Sequence, residues 1–246
     1  SVAFRAFFAL HQSLERFINH DGLHTNAIYG FKKMLDNILA TVQPTHVLVA
    51  FDAGKQTFRT EKFAAYKQGR AKTPSELSEQ FPFLKKMLSA YGIISYELTN
   101  YEADDIIGTL AAQAELQDFQ VTIVTGDRDL TQLATTKTTV AVNQKGVSEI
   151  EKYTPAHVQE KYGLAPAQIV DLKGLIGDNS DNYPGVTKIG EKTGLRLLHQ
   201  FGSIEGIYQN LDQLKPSKMK ENLINEESTA FLCKDLAQIR RDAPIE

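Results

Sequence analysis

The chain has 246 residues, of which 42% are hydrophobic and 23% charged, with a formal net charge of −3. This is the make-up of a globular protein with room for one large domain, or a domain with an appendage. It excludes a global basic footprint for nucleic acid, so a polyanionic partner must be argued from local charge patterning, and no apolar run approaches the ~20 residues of a membrane span.

The start, VAFRAFFAL, is apolar but broken by Arg5 and framed by no cleavage site, so it is not read as a signal peptide. Residues 25–42 read as a helix capped by Thr25 or Asn26, with Ile28, Phe31, Leu35, Ile38, Leu39 and Val42 as its apolar stripe. His46 to Phe51 is a valine-rich run that reads as a buried strand ending at Asp52. Residues 55–72 are polar and basic; Thr73-Pro74-Ser75-Glu76 then reads as a capping box opening a helix to about Tyr91, closed by Gly92. Thr99-x-x-Glu102 reads as another capping box, with Asp104 and Asp105 in the first turn and Ile106, Ile107, Leu110, Ala111 and Ala114 on the buried face. Val121 to Thr125 is a second buried strand, ending in Gly126-Asp127-Arg128-Asp129. Residues 140–150 read as short strand and turn, and Thr154-Pro155 opens a helix closed by Gly163.

Strands alternating with helices imply an α/β fold with a mostly parallel central sheet over residues 1–165. From 166 to 246 the pattern is short helices and glycine turns, a helical subdomain.

The acids gather where such folds build sites, at strand ends and helix starts. Asp52, Glu102, Asp104, Asp105, Asp127 and Asp129 occupy those positions, and Asp178 and Asp181 stand in the polar stretch GDNSDN. Each group alone also reads as caps and turns, and for GDNSDN alone the turn is the better reading. If the eight converge, at least one divalent ion, and two in the fuller reading, must neutralise them; a pair ~3.5–4 Å apart suits in-line displacement at phosphorus. The ligands would have to be mainly carboxylates. Cys233 is the single cysteine, the six histidines are scattered, and carboxylate oxygens suit Mg²⁺ or Mn²⁺. One cysteine also excludes an internal disulfide framework and fits a reducing cytosol.

Two stretches suit phosphates. Lys55, Arg59, Lys62, Lys67, Arg70 and Lys72 interleave with Phe58, Phe63 and Tyr66 directly after Asp52, a mixture of charge for phosphates and rings for bases. GVTKIGEKTG, Gly185 to Gly194, places glycines and Lys188 and Lys192 before a helix whose amides can meet a phosphate. The plain alternatives are a solvated basic face and a glycine turn.

FDA (51–53), TFRTEKFAAYKQGR (57–70), YEADD (101–105), TGDRDLTQL (125–133) and GLIGDNSDNYPGVTKIGEKT (174–193) occur in this order and span essentially the whole chain. Together they resemble the 5′-nuclease (5′→3′ exonuclease) domain of bacterial DNA polymerase I, in the flap endonuclease superfamily. The resemblance implies a PIN-like nuclease core with a helix-hairpin-helix subdomain. It implies a Mg²⁺-dependent enzyme acting on DNA 5′ ends and 5′ flaps in replication and repair, and leaving 5′-phosphates. It places the eight acids on two metal regions and likens the basic segment, about 55–90, to an arch over the site. Lys67 and Arg70 would act there on the scissile phosphate, Tyr66 would pack on a terminal base, and Arg5 and Arg59 would touch phosphates. Residues 185–200 resemble the helix-hairpin-helix variant, with Gly185, Val186, Lys188, Gly190, Lys192 and Thr193 on duplex DNA and a place for a monovalent cation. A covalently linked polymerase domain, a monomeric state and a bacterial cytoplasmic, nucleoid-associated location are implied in the same way.

Ser1 and the ending RRDAPIE read as cut ends of something longer. The family's aspartate of a D-G-N-type motif falls just before the position matching Ser1, so the 246 residues alone are expected to cleave weakly or not at all. Two other readings stand beside this one. Asp127-Arg128-Asp129-Leu130-Thr131 fits the D-x-D-x-T nucleophile motif of haloacid-dehalogenase-type phosphatases, with Asp127 attacking; that family's nucleophile strand comes first and its later acids follow a strand, whereas the run before Asp178 reads as helical. A non-catalytic DNA-binding module, its acids only capping helices, is the second.

Overall fold

The computed structural model describes residues 1–146 and 148–246; Val147, in the stretch read as strand and turn, lies outside the described residues. The elements run α1 (Val2–Ala9), α2 (Asn26–Val42), β1 (Leu48–Ala50), α3 (Phe58–Lys62), α4 (Ser75–Ser78), α5 (Phe81–Ala90), β2 (Ile94–Tyr96), α6 (Ala103–Leu116), β3 (Val121–Thr125), β4 (Thr138–Lys145), β5 (Glu149–Tyr153) and α7 (Pro155–Tyr162). A wholly helical part follows: α8 (Ile169–Ile176), α9 (Glu191–Phe201), α10 (Ile204–Gln209), α11 (Lys218–Asn225) and α12 (Glu227–Ala237). No helix among the described residues is long and apolar enough to cross a membrane.

The α/β class is as expected, and the pairing is mostly parallel: β1 with β2 and β3 with β4 parallel, β5 antiparallel to β4. The sheet is divided, β1-β2 forming one piece and β3-β4-β5 the other. The strand read as buried at 46–51 is short and half open, with Leu48 at 36% exposure. The strand β3 is better covered, carrying Ile123 and Thr125 into the core.

Local chemistry explains the elements and three departures. On α2, Ala27, Gly30, Phe31, Met34 and Leu35 are buried at helical spacing, and Gly30 lets α1 approach until an added Cβ would stand 3.0 Å from the Ala6 Cβ. Thr25 holds the N-cap position but donates its hydroxyl to the Phe17 carbonyl instead of capping. The single helix expected over 75–91 is two, α4 and α5. Pro82 lacks the amide a continuing helix would need and sits in the first turn of α5. The cap of α6 lies at Glu102, three residues later than expected, with Asp105 accepting from the Glu102 amide at 3.0 Å. Thr154 and Gly163 bound α7 as expected, Thr154 accepting from the His157 amide and Gly163 taking φ 65°.

Separate apolar clusters sit beneath the sheet pieces and within the helical part. A small one joins the two halves, Tyr66, Tyr183, Cys233 and Leu236. After α12 the chain returns over the core as a strap. The Arg240 amide donates to Asp105 Oδ1 (2.9 Å), the Ile239 amide to Gln132 Oε1 (3.0 Å) and the Ala243 amide to Thr109 Oγ1 (3.0 Å). Gly108 makes the strap possible, since a Cβ there would stand 2.6 Å from the Arg240 carbonyl oxygen.

Candidate metal centre

Three local structures deliver the acids. The first turn of α6 carries Asp104, the end of β3 carries Asp127 and the short 3₁₀ turn after it Asp129, and the loop after α8 carries Asp178 and Asp181. That loop is closed on itself, the Asp178 amide donating to the Tyr183 carbonyl (2.9 Å) and the Tyr183 amide to the Asp178 carbonyl (3.1 Å). Gly177 (φ 72°) and Gly185 (φ 64°) let two backbone segments touch directly, so a Cβ at either position would overlap backbone atoms. The acidic loop and the following glycine loop are therefore one folded unit.

Glu102, Asp104, Asp127, Asp129 and Asp181 line one small cleft with Arg59, Tyr66, Lys67 and Tyr183, leaving about 30 Å³ for water-sized occupants. Asp129, Asp178 and Asp181 each offer an oxygen, all within 4.8 Å of one another. An all-oxygen set at this spacing fits a hard divalent cation. The electrostatics agree. Burial and the Asp127 carboxylate push the Asp104 carboxyl up to about 8, and the same two causes push Asp129 up to about 7. Burial also raises Asp181. Carboxyls kept protonated by burial and crowding carry the protons that a bound cation would release.

Cations of the chain itself answer the remaining charge. Lys173 Nζ lies 3.0 Å from Asp129 Oδ1 and 2.5 Å from Asp178 Oδ2. Burial alone would raise Asp178, but the hydrogen bonds from Lys173 and Ser180 hold it below the ordinary value. Lys67 pairs with Glu102, and Arg70 pairs with Asp181 while its Nε donates to the Ser180 carbonyl at 3.0 Å. Burial works to raise Glu102, yet Lys67 and Arg59 outweigh it and hold the carboxyl low.

Some expected site residues are committed elsewhere. Asp105 is fully buried. Its oxygens take Arg59 Nη1 (2.7 Å) and Nη2 (2.8 Å), the Glu102 amide (3.0 Å) and the Arg240 amide (2.9 Å), so no lone pair faces an ion. Arg59, expected on phosphates, is 2% exposed. Besides Asp105 it donates to Glu102 Oε2 (2.5 Å) and to the Leu236 and Gln238 carbonyls (both 2.8 Å), which uses every donor direction inside the protein. Tyr66, expected on a base, is 6% exposed; its hydroxyl donates to Glu102 Oε2 (3.1 Å) and its ring stacks on Tyr183 at 6.5 Å. Asp52 accepts from the Ala103 amide (2.7 Å) and so caps α6. Arg5 is exposed but donates to the Gly126 (2.9 Å) and Gln144 (3.2 Å) carbonyls, lying over the turn that holds Asp127. In the glycine loop, Lys188, Gly190 and Lys192 are exposed, Thr193 is half-buried, and Gly185 and Val186 are buried. Val186 donates its amide to the Leu175 carbonyl (2.8 Å).

Sequence reasoning missed Lys173 and Tyr183. Lys173 carried a signal, a lone cation in the apolar run IVDLKGLIG just before an acidic loop. Tyr183 carried none.

The family profile described as "5'-3' exonuclease, N-terminal resolvase-like domain" matches residues 1–163, and that described as "5'-3' exonuclease, C-terminal SAM fold" matches residues 164–246. The chain belongs to the 5′-3′ exonuclease family. It is 62% identical over 245 residues to DNA polymerase I of Streptococcus pneumoniae (strain ATCC BAA-255 / R6), covering 100% of this chain and 28% of that protein. It is 56% identical over 246 residues to DNA polymerase I of Bacillus subtilis (strain 168), again covering 100% of this chain and 28% of that protein. The chain thus spans little more than a quarter of these relatives. Among solved structures, T5 D15 protein co-crystallised with metal ions superposes with a TM-score of 0.75 at 22% identity, covering 97% of this chain and 86% of that one. The catalytic core of Rad2 in complex with DNA substrate gives 0.55 at 18% identity, covering 97% and 80%. At these identities the structures establish the fold, an α/β core with a helical C-terminal part.

Proposed function

We propose that this protein is a divalent-metal-dependent, structure-specific 5′ nuclease that hydrolyses DNA at 5′ ends and 5′ flaps and leaves 5′-phosphates. The observation that carries the reading is the convergence of acids from both family segments, Asp104, Asp127 and Asp129 from the first and Asp178 and Asp181 from the second, beside Lys67 and Arg70. Family membership supports a nuclease. T5 D15 was co-crystallised with metal ions and the Rad2 core holds a DNA substrate, which supports a cation and DNA as ligands.

In this reading Asp104, Asp127, Asp129, Asp178 and Asp181 hold the ions, two Mg²⁺ or Mn²⁺, with Glu102 beside them and Asp52 and Asp105 acting through the backbone of α6. Bound there, such ions would supply Lewis acidity for the attacking water and the leaving oxygen. Lys67 and Arg70 neutralise Glu102 and Asp181 before ions bind; once the carboxylates are otherwise compensated, both are free to turn to a phosphate and stabilise its developing charge. Lys188, Lys192 and the open amide end of α9 at Gly190 grip duplex backbone without reading sequence. We further propose that the chain acts as a monomeric nuclease domain of a cytoplasmic DNA polymerase I, in replication and repair.

The capping alternative accounts for Asp52 and Asp105 but not for the raised carboxyls of Asp104 and Asp129. The phosphatase alternative needs a strand before Asp178, where α8 stands. The test is a 5′-flap duplex incubated with the protein carrying the family's D-G-N strand ahead of Ser1, with Mg²⁺ or with EDTA. Cleavage near the flap junction only with Mg²⁺ supports the proposal; tight binding without cleavage returns the acids to a capping role.

A further inference from the structure

Tyr183 is 3% exposed, and its buried hydroxyl has no hydrogen-bond partner among the described residues. The side chain lines the same cleft as Asp104, Asp127, Asp129 and Asp181. Asp129 and Asp181 belong, with Asp178, to the set of carboxylates whose oxygens lie within 4.8 Å of one another. A buried hydroxyl in a cleft lined by carboxylates yet bonded to none of them is unusual, because buried polar groups are paired. The phenol is also held in place. Its ring stacks on Tyr66 at an interplanar angle of 14°, and its backbone forms the two-bond bridge with Asp178 that closes the acidic loop. The fold thus fixes a donor in the carboxylate-lined cleft and, among the described residues, gives it no acceptor.

We infer that Tyr183 is a positioning residue of the cation site: its hydroxyl donates to a water of hydration that a divalent ion brings to Asp129, Asp178 and Asp181. The cleft has about 30 Å³ for water-sized occupants, space for about two waters. Small hard cations retain several waters and take only a few carboxylates, so three acids leave such waters needing an outer partner. The phenol, with Lys173 on the Asp129–Asp178 side, is the donor available for that task. The inference rests on the metal-binding reading above and adds a residue that reading does not use.

Tyr183→Phe removes the hydroxyl and keeps the ring. Mn²⁺ alone is titrated by calorimetry into the unchanged protein and the variant, and the melting temperature of each is measured without metal. The expected result is Mn²⁺ affinity lower by about tenfold, the low end for losing a hydrogen-bond partner of an ion's ligand shell, with the metal-free melting temperature unchanged or higher because an unpaired buried group is gone. Equal affinity in the two proteins overturns the inference and leaves the metal reading standing. A metal-free melting temperature that drops along with the affinity also overturns it, since the hydroxyl would then be structural. Absence of Mn²⁺ binding to the unchanged protein overturns both.

Discussion

Arg59 gives the sharpest test of the packing between the two halves. A phosphate-gripping arginine and a buried hub make opposite predictions for its removal. In the structure the guanidinium is forked on Asp105 at 2.7 and 2.8 Å and also donates to Glu102, to the Leu236 carbonyl and to the Gln238 carbonyl. Arg59→Ala would leave Asp105, which has no solvent exposure, with only two backbone amides. Breaking a buried pair from one side costs about 3–5 kcal/mol, and two orphaned carbonyls raise that unless water replaces the guanidinium. The lower figure, about 3 kcal/mol, corresponds to a melting temperature lower by about 6–12 °C for a chain of this length. Arg59→Lys keeps a charge but not the fork, and should recover only part of the loss. The assay is thermal and urea unfolding followed by circular dichroism. A loss under about 1 kcal/mol for Arg59→Ala, together with a reduced salt dependence of flap binding, would mean that the side chain serves phosphates and that the buried hub is wrong.

The raised carboxyls give a pH prediction. An acid whose folded value lies above its unfolded one binds more protons when folded, so stability falls as pH rises from the unfolded value, ~3.9 for Asp, through the folded values near 7 for Asp129 and 8 for Asp104. The metal-free protein should therefore melt at lower temperature at pH 8 than at pH 5.5, with Mg²⁺ narrowing the difference and Asp104→Asn reducing it; a metal-free melting temperature flat across this range counts against the crowding of these acids. Lys67→Ala should slow single-turnover cleavage by about 10²–10³-fold with flap binding little changed. Lys188→Ala with Lys192→Ala should weaken duplex binding and lower the slope of its salt dependence by about 2, and equal effects from both sets would erase the division of labour. Gly108→Ala places a Cβ 2.6 Å from the Arg240 carbonyl oxygen and 2.7 Å from Ile239 Cγ2; overpacking of this kind costs about 1–3 kcal/mol, read as a lower melting temperature and faster proteolysis after Ala237.

How much of this was legible in the sequence depended on whether the information was local. VTIVT at β3, the bounds of α7 between Thr154 and Gly163, and the helical character after 166 follow from periodicity and capping, which a short window contains. The break between α4 and α5 was also local, with Pro82 as its signal, but a continuous apolar pattern masked it. The acids at element ends were visible as candidates. Their sorting was not, because Asp104 and Asp105 are adjacent in sequence and differ only in what the fold brings to them. Asp105 meets Arg59 and the Arg240 amide, while Asp104 meets Asp127. Arg59 was misread for the same reason, since a basic run looks solvent-facing until a strap some 180 positions later covers one member of it. Tyr183 is informative only once its hydroxyl, without a partner among the described residues, is seen in a cleft lined by carboxylates.

The most direct measurement is single-turnover cleavage of a 5′-flap duplex in Mg²⁺ by the protein carrying the family's D-G-N strand, compared with its Asp127→Ala and Asp178→Ala variants, one from each family segment. Flap binding by all three is measured in Ca²⁺. If acids of both segments form one centre, each substitution abolishes cleavage while binding stays within a few-fold. Asp178→Ala cleaving like the unchanged protein, or losing binding and cleavage together, would contradict a shared metal centre.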